Sequence, residues 1–102
     1  MEEIQLLLDD TGKGAFVIED NNERVAEMQV AIKGSNLTVF HTEVSPKLQG
    51  QGVAARLLAH MVAYARQHGL KVIALCPYVG AQFKRRPEQY TDIWNRDWHH
   101  SG

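Results

Sequence analysis

Two places in this 102-residue chain carry residues whose types and spacing can do chemistry. The first is Gln49-Gly50-Gln51-Gly52-Val53-Ala54-Ala55, where two glycines and a run of small residues open a segment of helical periodicity. No Ser, Thr, Asp or Asn stands there to cap the helix, so its first N–H groups lack side-chain partners. Gly50 and Gly52 permit unusual dihedrals and close approach of a ligand, and Ala54 and Ala55 keep the first turn slim. The N–H groups of residues 51–55, with the helix dipole behind them, would suit pyrophosphate. A glycine-rich turn that only reverses the chain has the same sequence. The segment is not a Walker-type loop, since no Gly-Lys-Ser/Thr follows. Nor is it the dinucleotide fingerprint: Ala55 takes the place of the third glycine, and the strands before it read as antiparallel.

The second place is Cys76, the only cysteine, followed by Pro77. Proline favours the first helical position, which puts Cys76 at a helix N-cap, where a thiol tends toward thiolate. A lone cysteine ending a core strand is equally a small buried hydrophobe. His41 lies in a strand candidate and is read as facing with Val39 and Glu43. If that strand runs beside the one ending at Cys76, His41 meets Cys76 at the mouth between them and can take its proton. A histidine hydrogen-bonded at a strand end is the structural alternative. Glu43, two residues on, orients His41 or is simply solvated. His60 and His68 are two helical turns apart, about 12 Å, too far to share a metal. With His99 and His100 in the tail, no metal site is expected. Lys84-Arg85-Arg86 is either solvated surface or a phosphate contact.

These groups need a scaffold. Ile4 to Leu8 is a short apolar run ending in the turn cluster Asp9-Asp10-Thr11-Gly12, and Gly14 to Glu19 is a second strand candidate. After Asp20-Asn21-Asn22, residues 25–32 alternate with period two, and Lys33-Gly34-Ser35-Asn36 returns the chain into a fourth strand, Leu37 to Val44. Beyond Pro46, Val53, Leu57, Leu58, Met61, Val62 and Ala65 recur at helical spacing, a helix of about five turns that stops at Gly69. Lys71 to Leu75 is a buried strand, which the crossover makes parallel to the fourth. Pro77 opens a last short helix that breaks at Pro87. The class is α+β, a single domain over 1–102: a mostly antiparallel sheet, one parallel pair joined by a long central helix, and short C-terminal helices.

Composition narrows the function. Residues 1–46 hold three basic and nine acidic side chains, residues 47–102 eight basic and three acidic, for a net charge of −1. That balance argues against a general nucleic-acid binder, and no aromatic residues interleave the basic run. No stretch reaches the roughly 18 apolar residues of a membrane span. The acidic Met1-Glu2-Glu3 start and the single thiol favour the cytosol. Trp94 and Trp98 are expected to pack the C-terminal segment.

Gln49-Gly50-Gln51-Gly52-Val53-Ala54 also fits Gln/Arg-x-x-Gly-x-Gly/Ala, the acetyl-CoA pyrophosphate motif of the GNAT acetyltransferase superfamily. Taken with His41-Thr42-Glu43-Val44, Tyr64-Ala65-Arg66, Cys76-Pro77-Tyr78-Val79 and Arg85-Arg86-Pro87-Glu88, the chain resembles the small single-domain GNAT-like proteins of the YjdJ type over nearly its whole length. The resemblance implies a minimal GNAT fold, acetyl-CoA or CoA as cofactor, and an amine acceptor, either protein or small molecule, served by a monomer or weak dimer. It implies Cys76 and His41 as catalytic residues. Pantetheine would run between the fourth and fifth strands, bonding backbone near Val44 and Ala74 and reaching Cys76 and Pro77. Its departures are specific. Four residues after Ala81 stands Arg85, where many GNAT enzymes place the tyrosine that protonates CoA, and Arg86 stands where the short proteins have histidine. A CoA-binding or protein-interaction module on the same fold is the alternative.

Overall fold

The computed structural model describes residues 3–97. Five strands form one sheet in chain order: β1 (Ile4–Leu8), β2 (Lys13–Asp20), β3 (Glu23–Lys33), β4 (Asn36–Val44) and β5 (Lys71–Ala74). The first three pairings are antiparallel and β4–β5 is parallel. The crossover is helix α1 (Val53–Gln67), and α2 (Pro77–Arg85) follows β5. The α+β reading holds. Helix α1 is 15 residues, nearer four turns than five.

Both helices pack on one face. Phe16, Met28, Val30, Leu37 and Val39 from the strands meet Leu57, Met61 and Ala65 of α1 and Val79 and Phe83 of α2 in a single buried cluster. The Phe16 ring lies 5.6 Å from both His60 and Tyr64, edge-on in each case. Among the described residues no helix covers the other face, and β1 and β2 are joined by a tight turn. There the Asp9 carboxylate accepts from the Thr11 N–H (2.8 Å), the Thr11 hydroxyl (2.7 Å) and the Lys13 N–H (3.1 Å).

One irregularity in the sheet decides which way the residues of β4 face. On β3 and β4, Gln29 pairs with His41 and Val30 with Val39, leaving Phe40 as an extra residue on β4. A bulge of this kind shifts the alternation beyond it. Val39 points to the helices, while His41 and Glu43 share the open face with Gln29 and Glu27. Thr42, opposite Met28, takes the helical side. The expectation that His41 faces with Val39 is therefore corrected, whereas its common face with Glu43 holds.

The C-terminal segment closes the outer edge of β5. The Val72 N–H donates to the Ile93 carbonyl, and the Asn95 N–H donates to Val72 (2.9 Å). Arg66 holds Asp92 at 2.8 Å and the Gln89 carbonyl at 2.6 Å, and Lys71 donates to the Asp92 carbonyl at 2.6 Å. Phe83 stacks on Tyr90 and meets Trp94 edge-on, so Trp94 packs as expected. Trp98, His99 and His100 lie outside the described residues, as do Met1 and Glu2. Among the described residues no helix is long and apolar enough to cross a membrane, and no group of three or more His, Cys, Asp or Glu side chains could hold a metal ion.

Candidate functional site

Helix α1 begins without a side-chain cap. Gly52 is its N-cap in the left-handed region, φ 72° and ψ 21°, a conformation glycine takes at little cost. Gly50 is also left-handed, φ 84°. A Cβ built on either glycine meets no atom within 4 Å. The first helical bond runs from the Arg56 N–H to the Gly52 carbonyl at 3.1 Å, which leaves the N–H groups of Val53, Ala54 and Ala55 ahead of the ladder. Gln51 does not belong to this set. Its N–H donates to Leu48 (3.3 Å), and its side-chain amide reaches the Lys47 carbonyl (3.5 Å). A cavity of about 240 Å³ sits at this helix start, lined by Val44, Leu48, Gln49, Gly50, Gly52 to Ala55 and Tyr78. Anion-sized open space against uncapped N–H groups is what a pyrophosphate requires.

A cleft leads away from that cavity. Parallel pairing of β4 with β5 ends at Val39 and Ala74, where the Val39 carbonyl accepts from both Leu75 (3.0 Å) and Cys76 (2.8 Å). Strand β4 continues to Val44, bonded only to β3. The Ser45 N–H donates to Val25 at 2.8 Å, and alternation along the antiparallel ladder then turns the backbone groups of Val44 and Thr42 away from β3, into the cleft. The Val44 backbone thus faces the cleft, and the Ala74 backbone, expected to face it as well, does not. Val72 bonds outward to residues 93 and 95, and period two points the Ala74 backbone to the same outer edge.

Cys76 is the N-cap of α2, with Pro77 at the first helical position. The thiol is 2% exposed, and its Sγ lies 3.3 Å from Thr42 Oγ1. Thr42, rather than His41, is the partner of Cys76, because the Phe40 bulge exchanges the two side chains between faces. Only a residue-by-residue register could have found it, since a bulge leaves no mark in hydrophobic periodicity. Tyr78 is a second residue the sequence reading left without a role, although it stands in the Cys76-Pro77-Tyr78-Val79 segment. It lines the helix-start cavity and also a groove of about 600 Å³ between α1 and α2. Burial raises the Tyr78 phenol above its ordinary value, with Tyr90 and Cys76 adding to the shift, so it stays an O–H donor at neutral pH. Arg86 lines the same groove, beside Gln82 and Gln89, and of the basic run Lys84-Arg85-Arg86 it is the member that borders it.

The open face carries its own concavity, about 550 Å³, walled by Glu27, His41, Glu43, Arg24 and Gln49, with Thr42 and Val44 among its lining. The Glu27 carboxyl is held below its ordinary range, first by a hydrogen bond from Gln29 (2.8 Å) and then by Arg24 (3.2 Å), with the His41 charge contributing least. His41 and Cys76 therefore approach the cleft from opposite sides of β4.

A family model described as GCN5-related N-acetyl-transferase matches residues 15–93. No curated protein matches the chain. Among solved structures, a protein described as GCN5-like from Staphylococcus aureus is 28% identical, covers 98% of this chain and 100% of its own, and superposes with a TM-score of 0.66. A ribosomal-protein-alanine N-acetyltransferase from Escherichia coli matches 65% of this chain with a TM-score of 0.58 at 21% identity, a likeness of fold alone; the chain spans 43% of that protein. N-acetylglutamate synthase from Neisseria gonorrhoeae, complexed with coenzyme A and N-acetyl-glutamate, is 26% identical over 69% of this chain and 17% of its own, with a TM-score of 0.54.

Proposed function

The chain belongs to the GCN5-related N-acetyltransferase family, and on that premise we propose that it transfers an acetyl group from acetyl-CoA to an amine. Acetyl-CoA, when bound, supplies the acetyl group as a thioester. The observation that carries the reading is the uncapped start of α1, where Val53, Ala54 and Ala55 present N–H groups to a cavity kept open by Gly50 and Gly52. Those groups hold the pyrophosphate, with Gln49 beside them. The cleft-facing backbone of Thr42 and Val44 bonds an extended pantetheine as an added strand would be bonded. Arg86 is the cation for the remaining phosphate.

In the transfer, the amine nitrogen forms a C–N bond as the thioester C–S bond breaks. The amine gives up one proton and the departing sulfur takes one. His41, on the open face, accepts the proton from the amine. The Thr42–Cys76 pair, on the opposite side of β4, supplies one to sulfur. A relay in which Cys76 Sγ first takes the acetyl group uses the same two sides, with the Cys76 thiol proton passing to the released CoA. A second reading, a CoA-binding or interaction module without transfer, is favoured by one observation, the closure of Cys76 in the core.

Intact-protein mass spectrometry after incubation with acetyl-CoA separates these. Denaturing conditions retain an acetyl group only if it sits covalently on the chain, and native conditions retain bound CoA. Binding together with turnover on an amine is the expected result; absence of bound CoA at saturation refutes the proposal.

A further inference from the structure

Resting on the acetyltransferase reading, we propose that the open sheet face selects the acceptor: a peptide amine with a large apolar side chain beside the reacting nitrogen. Phe40 in β4 and Leu75, just past the end of β5, directly follow the last β4–β5 pair, Val39 with Ala74. Each points away from the helices. Leu75 does so because Val72 and Cys76 belong to the helical core, and Phe40 because the bulge sets it beside His41. Large apolar side chains left 43% and 45% exposed at the mouth of the cleft cost solvation free energy in the unliganded protein. Their position is that of a lip around the point where an amine must arrive.

Two concavities lie on the open face beside Phe40 and His41. The one bounded by Glu27, His41 and Glu43 also holds Arg24, which pairs with Glu27 at 3.2 Å, and its exposed Glu43 carboxylate complements an ammonium group. The other, about 340 Å³, is walled by Phe40, Lys13 and Gln29 over the backbone of Gly14 and Val30. They adjoin where Gln29 donates to Glu27 at 2.8 Å. The bulge sets Phe40 and His41 side by side on one face of β4, so an amine held toward His41 and Glu43 brings an apolar group carried beside it within reach of Phe40. The Glu43 carboxylate on one side and the apolar shelf at Phe40 on the other commit the surface to this occupant.

The test uses two pairs of short peptides. One pair offers a lysine side chain with its own N-terminus blocked, and the other offers a free N-terminal amine. Members of a pair differ only in leucine or glycine next to the amine. Acetyl transfer is followed by mass spectrometry with the parent, Phe40→Ala and Phe40→Leu, and the CoA-induced rise in melting temperature is recorded for each. For at least one pair the parent should prefer the leucine peptide by about 10-fold in kcat/KM, the low end for a small apolar contact. Phe40→Ala should erase the preference while leaving the glycine peptide unchanged, and Phe40→Leu should restore most of it. Which pair is used tells lysine from N-terminal acceptors. Equal rates for leucine and glycine peptides, equal losses on both from Phe40→Ala, or no peptide transfer by protein that shows the CoA shift each overturn this inference alone. Absence of the CoA shift overturns the acetyltransferase reading beneath it.

Discussion

Replacing Gly52 by Asp and by Asn separates the phosphate site from the turn that forms it. Both side chains tolerate the left-handed region better than other non-glycine residues, and a Cβ at Gly52 meets no atom within 4 Å. Each substitution should therefore cost about 1 kcal/mol of apo stability, a fall of about 4–8 °C in a domain of this size. With CoA at about 100 times its dissociation constant, the parent gains about 2.7 kcal/mol, a rise of about 11–22 °C. A carboxylate roughly 5 Å from a phosphate, at an effective dielectric of about 20, repels it by about 3 kcal/mol per unit charge. Salt at an exposed helix start leaves about half of that, so Gly52→Asp should weaken CoA about 10- to 100-fold. At the same CoA concentration its gain shrinks to about 0.4–1.4 kcal/mol, whereas Gly52→Asn keeps most of the parent's. Differential scanning fluorimetry over a CoA titration reads all three proteins. Equal shifts for Asp, Asn and parent would refute the reasoning and remove the pyrophosphate from the start of α1.

Cys76→Ala and Thr42→Val should retain the CoA-induced thermal shift and lose most acetyl transfer, Thr42→Val by the smaller factor; full turnover by Cys76→Ala, measured as free thiol released, would leave the thiol a packing residue. Gly14→Ala should destabilise by about 2–4 kcal/mol in urea titration, because its Cβ would collide with the Leu7 carbonyl and force β1 off the sheet. Asp92 is held below its ordinary 3.8, first by the hydrogen bond from Arg66 and then by the charges of Arg66 and Lys71. A depressed folded-state value stabilises above the unfolded one, and the contribution fades as pH falls through the folded value. The urea-midpoint difference between parent and Asp92→Asn should accordingly be level above about pH 5 and shrink below the unfolded value; a difference that grows on acidification would contradict this.

Strand and helix boundaries were legible because the chain alternates cleanly from Ala26 to Ile32 and then changes to helical spacing at Val53. The uncapped helix start was legible from the absence of a capping side chain at Gly52. The facing of His41 was not, since one extra residue at Phe40 is invisible to a count of apolar positions and reverses every side chain after it. The outward backbone of Ala74 depends on a partner about 20 residues later, the Ile93–Asn95 segment, and no local pattern announces a pairing of that separation. Gln51 was lost to the site through a short turn, its N–H bonding Leu48.

The edge cover on β5 also sets how copies of this chain can join. Backbone pairing needs an unpaired strand edge, and at β5 the Val72 groups are already spent on residues 93 and 95. Apart from the cleft-facing groups of Thr42 and Val44, that leaves among the described strands the outer rim of β1, Ile4–Leu8, which contains neither lysine nor proline. A sheet with one free rim polymerises no further than a pair. Two molecules joined β1 to β1 about a twofold axis consume both rims, and the assembly is closed. Losing the residues that hold the C-terminal segment, Arg66 and Asp92 above all, would uncover a second rim and turn a self-limiting association into an open-ended one.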